Sequence, residues 1–265
     1  MSEGGSPSML ATHAIDVRAR ISVEVTESHT QQVSKPHMYK ITQPIFVAAA
    51  FAASVLLTGC LATAPKISPA ERQGLAPIAV TSLLGGDFHL RSIGITVFQN
   101  KSSPQNVSEW TLDTSIEATA VEAIKGAGLS NVRSLPLTGQ STDDEKASML
   151  AAAQNAGIKT LVTVTYINAE NQPFLNPGSY GIYSRGNSAC LYSKFFVTVW
   201  DVSEKSRRKG SPQIECSRLD GWSWKPTLED YTPDERARLQ QALTAQLRAQ
   251  VQRALNDTGL TGTTP

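Results

Sequence analysis

The sequence predicts an α/β domain: a mixed sheet of about five strands, in the order β-α-β-α-β-β-β-α, with helices packed on it, behind a signal peptide and a flexible tether. Three observations carry this. Strand and helix patterns alternate between 91 and 167, which implies parallel strands joined by helical crossovers. Two β-rich segments then flank the polar stretch SEKSRRKG, adding an antiparallel hairpin to the same sheet. The chain closes on a helix with one continuous apolar stripe.

Residues 91–99, RSIGITVFQ, read as the first strand from their β-branched and aromatic content. A helix follows over 111–125, where Leu112, Ile116, Ala120 and Ile124 recur every four residues and Gly126 and Gly128 stop it. A short strand covers 131–135. Thr142 opens Thr-Asp-Asp-Glu, a capping box with Glu145 three residues on, and that helix ends at Gly157. Residues 160–167, TLVTVTYI, alternate as a strand does. An irregular stretch, 168–189, leads to strands at 191–202 and 212–220. Thr232 caps the last helix, Pro233 takes its first turn and Glu235 completes the box. Leu239, Leu243, Leu247, Val251 and Leu255 form its apolar stripe, with Arg and Gln over the other faces.

Ahead of this domain, the apolar run 45–57 (IFVAAAFAASVLL) is well short of the about 20 residues a spanning helix needs. With Lys40 before it and small residues after it, the run has the order of a signal-peptide core. Its exit, Leu57-Thr58-Gly59-Cys60, resembles the lipobox of bacterial lipoproteins. That resemblance implies a diacylglyceryl group on Cys60, which becomes the mature N-terminus. Leu61 is not the Asp that typically retains such proteins in the inner membrane, so the resemblance implies the outer membrane, facing the periplasm. Met38 opens a signal peptide of ordinary length over 38–59, and 1–37 is expected to be a disordered, over-long gene start. Residues 60–88, rich in Ala and Pro, are expected to be the lipidated Cys and tether. The domain is then 89–258, and 259–265 a disordered tail.

The element order resembles a broad group of small α/β lipoprotein domains. It is carried by Ile93-Gly94-Ile95-Thr96-Val97-Phe98, by AGIKTLVTV over 156–164 and by FVTVWDV over 196–202. The group includes the curli-export lipoprotein, the periplasmic activator of penicillin-binding proteins and the amino-terminal domain of the Tol-system propeller protein. The resemblance implies protein binding in the periplasm without catalysis, and transfers no particular site. A curli-type pore is disfavoured, because Glu215 and Arg218 fall on opposite faces of their strand and leave no face for lipid.

Charge and residue inventory narrow the chemistry. Lys and Arg number 24 against 23 Asp and Glu, so no global field draws the chain to nucleic acid. His89 is the one histidine beyond residue 59; no GxSxG elbow accompanies a serine and the ligands are too few for a transition metal. No catalytic residue, metal or cofactor is therefore expected. Asp143, Asp144 and Glu145 sit at a helix start, where the dipole accounts for them. Lys205, Arg207, Arg208 and Lys209 crowd the hairpin tip, as a solvated turn that blocks wrong strand pairing or as a contact for anionic headgroups or an acidic surface.

Residues 171–189, NQPFLNPGSYGIYSRGNSA, mix aromatics with Ser, Gly and Asn as adaptable recognition loops do. Phe174, Tyr180, Tyr183 and Arg185 are the candidate partner contacts. Cys190 and Cys216 are candidates for a disulfide in a compartment that permits one. A turn centred between Ser203 and Gly210 sets Cys216 across from Val197, leaving Cys190 roughly 23 Å away along the strand, so both alternatives stay open. Trp222 and Trp224 lie on one side of an extended segment, under the last helix or exposed. The function expected is a lipid-anchored periplasmic protein-binding module, a scaffold or regulator of an envelope assembly. Its partners are the membrane, through Cys60, and another envelope protein. The alternative is a lipoprotein that binds cell-wall glycan, peptidoglycan included, or a small molecule.

Overall fold

The computed structural model describes residues 66–262, apart from 95, 97–98, 136, 138–142, 168–177, 187 and the side chains of 143–145. Its strands are β1 (Ile78–Leu83), β2 (Asp87–Ile93), β3 (Lys101–Asn106), β4 (Val132–Ser134), β5 (Thr160–Tyr166), β6 (Tyr180–Arg185), β7 (Ser188–Asp201) and β8 (Ser206–Arg218). The helices are α1 (Pro69–Gln73), α2 (Leu112–Gly126), α3 (Asp143–Asn155) and α4 (Pro233–Thr258), with a 3₁₀ turn at Ser108–Trp110.

The α/β class with a mixed sheet holds, but the described strands number eight instead of about five. Their registers arrange them in five rows. β5 pairs with β7 from Phe195 to Asp201 and β6 pairs with β7 from Ser188 to Ser193, both antiparallel. Since β8 pairs along nearly the whole of β7, β5 and β6 lie end to end on its other edge. β1 and β2 run parallel to β5 and β6, so they form a second divided row. β4 flanks β1 in parallel and β3 flanks β2 antiparallel.

β1 corrects the expected domain boundary. All six of its residues are buried. A parallel strand covered on both faces shows a continuous run, here IAVTSL, with no alternation to separate it from an Ala/Pro-rich tether. The fold begins earlier still: Ile67 is buried and its N–H donates to Thr258 O at 2.9 Å. α1 closes its own capping box, with Ser68 N–H on the Glu71 carboxylate at 2.6 Å and Glu71 N–H on Ser68 Oγ at 3.3 Å. At the other end Leu260 is fully buried, so the expected tail 259–265 starts inside the core.

The first expected strand, 91–99, also moves. β2 ends at Ile93 because its partner β6 ends at Arg185, opposite it. β3, reading KSSPQN, escapes a hydrophobic pattern search as an edge strand; Pro104 is tolerated there because its missing N–H faces no further strand. α2 buries Leu112, Ile116, Ala120 and Ile124 as their spacing predicts. The cap expected from Thr142 to Glu145 lies outside the described residues. α4 has its box, with Thr232 N–H on Glu235 at 2.7 Å and Glu235 N–H on Thr232 Oγ1 at 3.2 Å, and its five-residue stripe is buried. Gln246 and Gln250 depart from the expected polar faces. Both are buried against β7, where Ser193 Oγ donates to Gln250 Oε1 and accepts from Gln246 Nε2, each at 2.6 Å.

α2 and α4 share one core with Val80, Val162, Val164, Leu191, Val197 and Val199. On the opposite face α3 packs Met149, Leu150 and Ala153 against Ala79, Leu83 and Leu161. That cluster reaches β7 only at Trp200, and Tyr183, Tyr192, Phe196 and Ile214 lie outside it.

Candidate functional site

Two places in the sheet gather polar side chains: the gap dividing the rows and the tip of the β7–β8 hairpin. At the gap, the step from Tyr166 to Tyr180 spans fourteen positions of chain, while the matching step on β7 spans two, from Phe195 to Ser193. Lys194 alone faces the interruption, and its N–H donates to Ser179 O at 2.7 Å. The neighbouring row breaks at Leu84–Gly86, and α2 serves the freed backbone. Asp113 accepts from Leu84 N–H at 3.0 Å, Gly85 N–H at 3.1 Å and Ser82 Oγ at 2.5 Å. Glu117 accepts from Ser82 N–H at 2.9 Å, and burial raises its carboxyl above the ordinary range. Ser179 Oγ donates to Leu84 O at 3.2 Å, and the Tyr180 hydroxyl donates to Gly85 O.

Tyr180 is therefore a core residue, a correction to its reading as a loop contact. It is fully buried beside Phe88, with ring centroids 6.3 Å apart, and burial pushes its phenol far up. The reason is pleat: Tyr180 and Ile182 point into the α2–α4 core, while Tyr183 and Arg185 point to the opposite face. Tyr183 is half-buried and Arg185 exposed. Phe174, Cys60 and the Leu57, Thr58 and Gly59 lead lie outside the described residues.

On that opposite face stand His89, Arg91, Tyr183, Tyr192, Lys194, Phe196 and Ile214, placed together by the β2–β6–β7–β8 register. Burial lowers the pKa of His89, against a smaller opposing pull from Asp87. A Cβ on Gly178, whose φ is +79°, would lie 2.0 Å from His89 Cδ2, so glycine lets the chain close over the ring. Lys194 is buried, and desolvation with the nearby Arg91 charge lowers its pKa to about 8. Its Nζ donates to the Tyr166 hydroxyl at 3.4 Å and lies 4.8 Å from that ring's centroid. Ile214, 45% exposed, is the one large hydrophobic side chain on the surface among the described residues.

The hairpin tip is tighter than expected. Asp201 pairs with Ser206, so the turn occupies 202–205 and sets Tyr192, not Val197, across from Cys216. Cys190 and Cys216 become diagonal neighbours with Cα atoms 5.4 Å apart, joined as a disulfide. Asp201 organises the turn: it accepts from Ser203 Oγ at 2.6 Å, from Glu204 N–H at 3.1 Å and from Arg208. These bonds hold its pKa at about 2. A bulge between Val199 and Trp200 follows, with Lys209 across from Val199 and Arg207 across from Trp200. Beside it opens a groove of about 580 Å³ lined by Lys66, Phe196, the 207–212 segment, Asp257 and Thr258.

Trp222 packs on Tyr231 with centroids 5.6 Å apart and carries Arg238 over its ring at 5.6 Å, while Lys101 lies 5.4 Å from the Trp224 ring. Each tryptophan thus has a cation on one face. Among the described residues no group of three His, Cys, Asp or Glu is placed to hold a metal, and no helix is long and apolar enough to cross a membrane.

Such a fold, with its surface chemistry at one sheet face and one hairpin tip, defines a small mixed-sheet α/β domain. No protein-family model and no curated protein matches the chain. Solved structures similar to it include the PelC dodecamer from Paraburkholderia phytofirmans, at 11% identity over 71% of this chain and 88% of that one, TM-score 0.35. Lipoprotein GNA1162 from Neisseria meningitidis is similar at 10% identity over 65% and 97%, TM-score 0.31. The LpoB C-terminal domain from Escherichia coli is similar at 11% over 52% and 80%, TM-score 0.20. These values describe a loose likeness of chain path and assign no ligand, partner or activity.

Proposed function

We propose that the chain is a lipid-anchored envelope protein whose α/β domain binds another envelope protein as a scaffold or regulator, with no catalytic step. On this reading Cys60 carries the lipid, in the outer membrane on the periplasmic side, and the acyl chains hold the protein without a spanning helix. The observation that carries it is the way the start of the domain is fastened. Ile67 is tied to Thr258, and the Arg72 guanidinium donates to Gly262 O at 2.8 Å. Six residue steps then separate Cys60 from Lys66, a reach of about 20 Å at most. An anchor so close to the first buried residue suits a domain that works at the membrane surface.

The partner surface is the sheet face bearing Tyr183, Arg185, Phe196 and Ile214. An exposed isoleucine among half-buried aromatics is the composition of an interface centre. In-cell photo-crosslinking from Ile214 and Tyr183, with Arg248 on α4 as the control, tests it. A discrete protein adduct from the first two positions alone is expected. Adducts absent from both, or equal at all three, would overturn the assignment. Intact mass of the membrane-extracted chain tests the anchor, since a diacylglyceryl increment on Cys60 is expected and its absence refutes this part.

A further inference from the structure

We propose that the groove between Lys66 and the β8 bulge is a binding site for the anionic headgroups of the membrane that holds Cys60. It deepens the lipid-anchor reading and rests on it for the orientation of the domain. Four cations, Lys66, Arg207, Arg208 and Lys209, line the groove against one carboxylate, Asp257. Arg208 is committed to Asp201. Asp257 is occupied on Oδ2 by Ser211 Oγ at 3.2 Å and Gln213 Nε2 at 3.5 Å. Glu71 also lies in electrostatic reach of Arg208 and Lys209, with its hydrogen bonds directed to its own cap at Ser68. Lys66, Arg207 and Lys209 consequently face the groove with no salt bridge among the described residues.

Two elements far apart in sequence supply these charges. A solvated hairpin tip explains Arg207 and Lys209 as guards of an edge strand, yet it gives no reason for Lys66 to stand beside them. The site also has fixed walls: the Phe196 ring lies 5.9 Å under the Arg207 guanidinium, and Gly210 lets the strand close on that ring, which a Cβ would meet at 2.3 Å. A guanidinium placed there has an N–H fork that suits bidentate contact with phosphodiester oxygens. The position of Lys66 completes the case. It is exposed and six residues from Cys60 in sequence, so a lipid on Cys60 would tether this wall of the groove to the membrane by about 20 Å of chain at most.

The test uses the chain without residues 1–60, because 61–265 forms a compact unit of its own and lacks the acyl chains. Co-sedimentation with phosphatidylglycerol-containing vesicles, and none with phosphatidylcholine vesicles, is expected, weakening as salt rises. Arg207→Gln and Lys209→Gln should each weaken that binding about fivefold, and Lys66→Gln by a similar factor. Arg248→Gln should leave it unchanged, and all variants should keep the parent's unfolding midpoint because the sites are at the surface. Equal sedimentation with both vesicle types, or a triple variant that binds like the parent, would overturn the proposal. Binding of inorganic phosphate without vesicle binding would also overturn it, in favour of a soluble anion. The mass of Cys60 in the full chain is read separately. An unmodified Cys60 with intact vesicle binding removes the anchor and keeps the groove, and a modified Cys60 with unaffected variants does the reverse.

Discussion

Lys194 shows how a single residue can hold two conflicting demands. Its backbone bridges the gap between β5 and β6, and its ammonium is buried beside Arg91, which lowers its pKa from 10.5 to about 8. The unfolded chain then keeps a proton that the folded chain has released, so this residue makes stability rise with pH between those two values. Below about pH 8 the lysine opposes folding at full strength. Urea unfolding of the parent and of Lys194→Met at pH 7.5 and at about pH 10 should show the slope in the parent and a smaller one in the variant. Tyr180 is the complementary case. Tyr180→Ala should cost about 3–5 kcal/mol through the cavity left beside Phe88. Tyr180→Phe should cost about 1 kcal/mol for the bond to Gly85. Equal effects of the two would contradict the core placement. The sequence of 171–189 concealed this residue, because its Gly, Ser and Asn content reads as a loop while the Tyr180–Ile182 alternation is only two residues long.

At the scale of the element, the β7–β8 hairpin illustrates how much hangs on where a turn is placed. Its two strands were legible from composition, and its register was not. Assigning all of SEKSRRKG to the turn moves Cys216 five residues along β7, from Tyr192 to Val197. Nothing in the sequence marks Arg207 and Lys209 as strand residues, since an edge strand with a bulge carries charges where a buried one carries valines. The element makes two measurable predictions. Reducing Cys190–Cys216, or replacing both by Ser, should lower stability by about 3 kcal/mol, from the chain entropy of a closed loop with a separation of 26 residues. Asp201, held at about pKa 2, contributes stability that is complete above its unfolded value of 3.8 and is lost as pH falls toward 2. Asp201→Asn should flatten that part of the acid-unfolding curve and leave the neutral one shifted downward.

For the whole molecule, α2, α4, β4, β5 and most of β7 and β8 were readable because amphipathic periods, caps and strand composition are local signals, whereas β6 was hidden in a stretch that reads as loop. β1, β3 and the two fastened ends were not, because their meaning comes from neighbours far away in the chain. The boundary that follows from the structure is testable. A chain starting at 66 should unfold cooperatively, while one starting at 89 lacks β1, the strand between β4 and β5, and should show no cooperative transition. Truncation after 258 should destabilise the protein, since Leu260 is buried. The divided third row has a consequence of another kind. Because the chain leaves the line of β5 at Tyr166 and rejoins it at Tyr180, the number of residues in between is decoupled from the architecture. Loop closure grows only logarithmically with length, at about 0.6 kcal/mol per doubling. The step from Tyr166 to Tyr180 can thereby be lengthened at small entropic cost, while Gly178 closes over His89 and the Lys194 N–H holds Ser179 across the seam.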